Sequence, residues 1–181
     1  MKKLLIPALL SALILGCSST PIPDETGGAP VESRGGSSTG VAPVVAGNMD
    51  SAGLPKELTD PKSQLSQRSI YFDLDKYEVK DEYKDLVAAH AKYLVAHRGF
   101  KVLLQGNTDE RGSSEYNLSL GQKRAEAVKR SLALLGVKDD QIESVSLGKE
   151  KPKNPGHDEA AWSENRRADI LYKAADGRGE F

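Results

Sequence analysis

Two carboxylates and one arginine stand out as side chains of this chain that could act together. Asp109 and Glu110 lie in the polar stretch Gly106-Asn107-Thr108-Asp109-Glu110-Arg111-Gly112, and Arg124 follows Asp109 by fifteen residues. A fixed carboxylate accepts hydrogen bonds from an ammonium, and the planar fork of a guanidinium fits a carboxylate better than a lysine does. Held side by side, such a pair suits a ligand that carries both charges. Plainer readings compete. Asp109 and Glu110 can be solvated turn residues, Thr108-Asp109 a helix cap, and Arg124 one half of a surface ion pair. Asp73 with Asp109 or Glu110 is the pair that glycosidase chemistry would need, two carboxyls at a set separation across a sugar cleft.

Other chemistries find less support. His90, His97 and His157 lack metal-ligand spacing, and no Ser-His-Asp or Cys-His arrangement is recognisable. Gly148-Lys149 lacks the preceding glycine and the following Ser/Thr of a phosphate-binding loop. Asp73-x-Asp75 opens like a calcium loop, but Tyr77 and Glu78 fill its fifth and sixth positions, and the sixth needs glycine for its sharp turn. A formal net charge of -1 argues against a nucleic-acid binder held by a basic surface. One cysteine allows no disulfide framework and no cysteine-built zinc site.

The elements that must position these groups follow from apolar periodicity. Ser69 to Leu74 is dense in β-formers and reads as a strand. From Val79 to His97 the stripe Tyr83, Leu86, Val87, His90, Tyr93, Leu94 has helical spacing, with Gly99 as a left-handed stop. Phe100 to Gln105 predicts a second strand before the polar turn. A long helix then runs from Ser114 to Leu135, with Leu118, Ala125, Val128, Leu132 and Leu135 as its buried stripe and Gly136 as its cap. Asn117 and Arg124 are two turns apart on that helix and share a face. A helical turn at Asp139 to Ile142, a strand at Ser144 to Leu147, a helix at Glu159 to Asn165 and a strand at Arg167 to Tyr172 complete the pattern. The order βαβαβαβ predicts an α/β sandwich with helices packed on a mixed sheet.

Ahead of this domain the chain changes character twice. Lys2 and Lys3 precede an apolar run from Leu4 to Leu15, too short for a spanning anchor and laid out like a secretory signal. Ile14-Leu15-Gly16-Cys17 resembles the lipobox of bacterial lipoproteins. That resemblance implies a signal peptide over residues 1–16, cleavage before Cys17, and S-diacylglyceryl and N-acyl groups on Cys17. Ser18, where Asp would favour the inner membrane, points to the periplasmic face of the outer membrane. Residues 17–62 then lack Phe, Trp and Tyr, and Pro, Gly, Ser and Thr make up about half of them. Such a segment cannot offset its ordering entropy by burial and reads as a flexible tether with an r.m.s. span of roughly 35–40 Å. The folded domain is expected over residues 63–181.

Thr108-Asp109-x-x-Gly112, then Asn117-x-x-Leu120-Gly121-x-x-Arg124-Ala125, Gly148, Pro155 and Asn165-Arg166-Arg167 occur in order, with Tyr71-Phe72-Asp73 ahead of them. Together they resemble the OmpA-like peptidoglycan-binding domain family, and the lipobox and tether resemble its lipoprotein members. At Gly121 the broader family often has serine, so no hydroxyl contact is expected there. The resemblance implies that Asp109 and Arg124 bind ligand, that Phe72 and Asp73 form another wall, and that Thr108, Tyr116 and Asn117 contribute contacts. The implied ligand is the diaminopimelate of the peptidoglycan stem, whose side chain ends in an ammonium and a carboxylate on one carbon. Further implications are a non-enzymatic link between outer membrane and cell wall, and partnership with TolB and other Tol proteins. Envelope integrity and outer-membrane constriction at division would be the roles served. No cofactor beyond the lipid on Cys17 and no nucleic acid are expected. The alternative is a peptidoglycan-cleaving enzyme using Asp73 and Asp109. Trp162 reads as packing, while Arg166 and Arg167 fit either the site or ion pairs at the sheet edge.

Overall fold

The computed structural model describes residues 53–181; the expected signal peptide, Cys17 and the tether up to residue 52 lie outside the described residues. Eight elements follow in chain order: α1 (Lys56–Thr59), β1 (Ser69–Tyr71), α2 (Lys84–Ala96), β2 (Lys101–Asn107), α3 (Ser114–Leu134), β3 (Ile142–Gly148), α4 (Glu159–Asn165) and β4 (Arg167–Lys173), with single 3-10 turns at Gln64–Ser66, Asp81–Tyr83 and Asp139–Gln141. The sheet order is β1-β4-β2-β3. β2 and β3 run parallel, joined by the crossover helix α3, while β4 is antiparallel to both β1 and β2. This is the mixed sheet with packed helices that the periodicity predicts.

The central strands carry the core because alternate residues face one way. Val102 and Leu104 on β2 and Ala168, Ile170 and Tyr172 on β4 are fully buried, and α2 lays Leu86, Val87, His90, Ala91 and Leu94 into the same cluster. His90 sits there as a polar member with both ring nitrogens engaged. The Gln67 carbonyl can only accept, which places the proton on Nε2 (2.9 Å); Nδ1 then accepts from the Tyr172 hydroxyl (2.8 Å).

Helix α3 approaches the sheet through two glycines. A Cβ on Gly106 would stand 1.8 Å from the Gly121 carbonyl oxygen, and one on Gly121 would stand 2.3 Å from Ser146 Oγ. Only hydrogen fits at either position. The departure at Gly121 therefore has a packing reason that the motif comparison did not supply. At its C-terminus α3 ends as expected. Gly136 takes φ +92°, its N–H reaches the Ala133 carbonyl and that of Val137 reaches Leu132, which is the Schellman pattern.

Several expectations need correction. The folded core begins before Ser63, since Leu54 and Leu58 are buried in it; the Pro- and Gly-rich composition around them hides two anchoring leucines. β1 is half the expected length and closes at Tyr71, after which the Phe72 N–H reaches the Arg166 carbonyl. Gly99 is not a left-handed stop: α2 ends when the His97 N–H bonds the Tyr93 carbonyl. On α3, Leu118 and Leu135 are half exposed. The buried arc keeps Ala125, Val128 and Leu132 and adds Asn117, Leu120, Gly121 and Arg124, because the glycine contact with β2 decides which face goes down.

Candidate functional site

The polar turn leaves β2 at Asn107 and enters α3 at Ser114, so both charges of interest sit at one end of the sheet. Local hydrogen bonds shape the turn. The Asp109 carboxylate accepts from the Arg111 backbone N–H (3.1 Å), the arrangement of an Asx turn, and Gly112 at φ +91° reverses the chain. Asn117 Nδ2 donates to the Arg111 carbonyl (2.8 Å), and Ser113, not Thr108, caps α3 by accepting from the Tyr116 N–H. The cap takes up one of the free N–H groups at the helix start that a ligand carboxylate could otherwise have used.

A hollow of about 190 Å³ opens where turn, helix and the loop after β1 meet. Leu74, Asp75, Thr108, Asp109, Arg111, Gly112, Tyr116, Asn117, Leu120 and Arg124 line it. Pockets for drug-sized ligands run about 300–1,000 Å³, so this one suits a single amino-acid head group. Five of the seven domain residues expected at a site, Thr108, Asp109, Tyr116, Asn117 and Arg124, share this wall. Phe72 lies behind it, buried, with the Arg124 guanidinium carbon 5.2 Å from its ring centroid. The Asp73 side chain turns away and pairs with Lys80 at 2.8 Å.

Arg124 is fully enclosed. Its Nε donates to the Lys76 carbonyl (2.9 Å), Nη1 to that of Asn107 (2.8 Å) and Nη2 to that of Asp73 (3.1 Å). It is thus a clamp between β2 and the loop after β1, which excludes the surface ion-pair reading. Arginine carries five N–H donors, so two remain beyond these carbonyls. Burial lowers its pKa to about 10, with the Asp109 charge acting against the shift, and it stays cationic at neutral pH.

Asp109 is buried as well. Burial alone would push its carboxyl up, but hydrogen bonds and charge from Arg111, helped by Arg166, outweigh that and hold it below the usual carboxylate range. Arg111 Nη2 lies 2.7 Å and Arg166 Nη1 3.4 Å from Oδ2. Asp73 is also held low, first by its hydrogen bond to Lys80. Neither carboxyl is a proton donor at neutral pH, and they do not face one another across the hollow, so the acid-pair geometry of a glycosidase is absent from this pair.

Arg111 and Asp75 are partners that sequence reasoning did not assign, and Arg166, which it left open between the site and an ion pair, is a third. Arg166, at the C-terminal end of α4 just ahead of β4, reaches Asp109 from 57 residues away, and no spacing rule signals that. Arg111 was visible inside the turn, two residues from Asp109, in the position where an Asx turn brings side chains together. Asp75 takes φ +57° and accepts from the Tyr116 hydroxyl across the mouth of the hollow. Trp162 is more than packing. Its indole N–H donates to Glu110 (2.9 Å), and the Arg111 guanidinium carbon lies 4.1 Å from its ring centroid.

Known proteins resemble this chain in sequence and in fold. The model of the OmpA family matches residues 71–166. A peptidoglycan-associated lipoprotein of Pseudomonas aeruginosa is 40% identical over 90% of this chain and 92% of its own. One of Haemophilus influenzae is 53% identical over 61% of this chain and 73% of its own. The crystal structure of the peptidoglycan-associated lipoprotein from Burkholderia pseudomallei superposes with a TM-score of 0.64 at 62% identity, covering 65% of this chain and 99% of that one. The chain belongs to the OmpA family, and within it to the peptidoglycan-associated lipoproteins.

Proposed function

We propose that the hollow between turn and helix binds the zwitterionic side-chain tip of diaminopimelate in the peptidoglycan stem. The observation that carries this reading is one small pocket walled by a fixed anion, Asp109, and a fixed cation, Arg124. Asp109 accepts from the ligand ammonium, and the two remaining N–H groups of Arg124 meet the ligand carboxylate. A third feature supports it. Thr108 lines the same pocket, and its Oγ1 is buried without a protein partner among the described residues, a costly state that a ligand hydrogen bond relieves. The names of the relatives support peptidoglycan as the polymer bound.

In this reading the chain is a binder, and its other end is lipid. Diacylglyceryl and N-acyl groups on Cys17 hold it in the periplasmic leaflet of the outer membrane. At ~0.8 kcal/mol per buried CH₂, several chains make that attachment effectively permanent. The segment before the domain supplies reach, and many weakly bound copies on one surface act together. Membership of the Tol–Pal system, with TolB as a partner and envelope integrity and constriction at division as the outcome, belongs to the same proposal through family resemblance. Incubating the full chain in detergent with purified sacculi tests the class. Retention without release of soluble muropeptides is expected; release would make the chain a wall-cleaving enzyme.

A further inference from the structure

Asp109 already has more partners than an open acceptor should. Its Oδ1 takes the Arg111 backbone N–H (3.1 Å) and Nε–H (3.2 Å); its Oδ2 takes Arg111 Nη2 (2.7 Å) and Arg166 Nη1 (3.4 Å). A carboxylate offers about four lone-pair positions, so the set is full before any ligand arrives. An incoming ammonium has to displace one guanidinium.

The two guanidiniums are held very differently. Arg166 has a side chain only 8% exposed, donates to the Phe72 carbonyl (3.2 Å) and pairs with Glu159 (2.6 Å). Its removal would break a buried network. Arg111 has a side chain 35% exposed and lines the hollow itself. It also has somewhere to go, with its guanidinium already over the Trp162 ring and its Nη1 3.8 Å from Glu159 Oε2. A cation resting on an indole face beside a carboxylate keeps much of its stabilisation when it lets go of Asp109.

We propose that Arg111 is a displaceable stand-in for the ligand's ammonium: it occupies Asp109 in the free protein and moves onto the Trp162–Glu159 side when the ligand takes its place. This rests on the reading of Asp109 as the ammonium acceptor. The arrangement spares the free protein an uncompensated buried carboxylate. It also sets specificity. A ligand that offers only an ammonium exchanges one cation for another on Asp109 and gains little. A zwitterion gains in addition from its carboxylate, which Arg124 and the released Arg111 both attract. Arg111 is therefore a specificity-determining residue for the zwitterion over the bare amine.

The test uses the full chain in detergent and two probes, a tripeptide muropeptide ending in meso-diaminopimelate and one ending in L-lysine, which lacks the side-chain carboxylate. Wild type should prefer the first. Arg111→Gln and Arg111→Ala should each bind the lysine probe at least about tenfold tighter than wild type does, narrowing the preference by at least the same factor. In wild type the Arg111 Nε–H resonance should shift on saturation with the diaminopimelate probe, as its bond to Asp109 is lost. An unchanged or weaker lysine affinity in both variants, or an unmoved Arg111 resonance at saturation, overturns the proposal. Asp109→Asn separates the layers. If that variant keeps wild-type affinity for the diaminopimelate probe, the site reading fails and takes the stand-in with it. If it loses affinity while the wild-type Arg111 resonance stays fixed, the stand-in alone fails.

Discussion

Replacing Arg124 by alanine should weaken the fold as well as the site, and the size of the effect can be worked out from three carbonyls. Lys76, Asn107 and Asp73 each accept one hydrogen bond from this guanidinium. A buried carbonyl that loses its donor costs about 1–3 kcal/mol. The bond to Asn107 is buried, whereas those to Lys76 and Asp73 are partly open to solvent, so water can replace two of the three donors. That puts the total near the low end, about 3 kcal/mol. No buried anion is stranded, because Asp109 keeps Arg111 and Arg166. With a urea m-value of about 1–3 kcal/mol/M, the unfolding midpoint should fall by roughly 1–3 M. Arg124→Lys should lie between, since one ammonium cannot reach all three oxygens. Urea unfolding of both variants beside wild type decides the matter. Midpoints unchanged for Arg124→Ala would mean that the loop after β1 does not depend on the clamp. A surface ion-pair partner could be removed with little effect on the fold, and the clamp is the reason to expect otherwise.

Acid stability should carry the signature of His90. Burial lowers its pKa from 6.5 to about 4. The unfolded chain therefore takes up a proton first as pH falls, so stability declines between about pH 6.5 and 4 by about 3 kcal/mol and this contribution levels off below. Urea unfolding at pH 7 and pH 4.5 should show the decline in wild type and a flatter profile in His90→Gln; equal slopes would remove His90 as the cause. Gly106→Ala should lift α3 off β2, because its Cβ would meet a backbone oxygen at 1.8 Å. A loss of about 3 kcal/mol or more is expected, at or above the top of the usual overpacking range, and a thermal midpoint equal to wild type would contradict the contact. Cys17→Ser should release the chain from outer membranes once the wall is digested, scored by fractionation; continued partitioning with the membrane would place the anchor elsewhere.

The parts of the fold that sequence reveals are those governed by local rules. The long apolar stripe of α2, the span of α4 between Asp158 and Arg166, and the glycine stop at Gly136 each follow from spacing or capping within a few residues. Positions decided by distant partners were harder to read. Leu54 and Leu58 sit in a Pro- and Gly-rich stretch that looks like linker, yet the core reaches out to cover them. The face of α3 that goes down was misassigned at Leu118 and Leu135, because two glycines fix the docking and hydrophobicity does not. Among the residues that line the hollow, Thr108, Asp109, Asn117 and Arg124 could be picked out through motif order. Their geometry could not. Arg124 spends most of its donors on backbone, Asp73 turns to Lys80, and Asp109 is balanced by an arginine from the far end of the domain. Those are three-dimensional facts with no periodic trace.

The account stands or falls on whether two opposite charges in one hollow hold a zwitterion. The most direct measurement is calorimetric titration of the full chain with a tripeptide muropeptide ending in meso-diaminopimelate, repeated for Asp109→Ala and Arg124→Ala under conditions where both are folded. Saturable binding by wild type, with about 2–5 kcal/mol lost in each variant, is the predicted result. Wild-type affinity in either variant would contradict it.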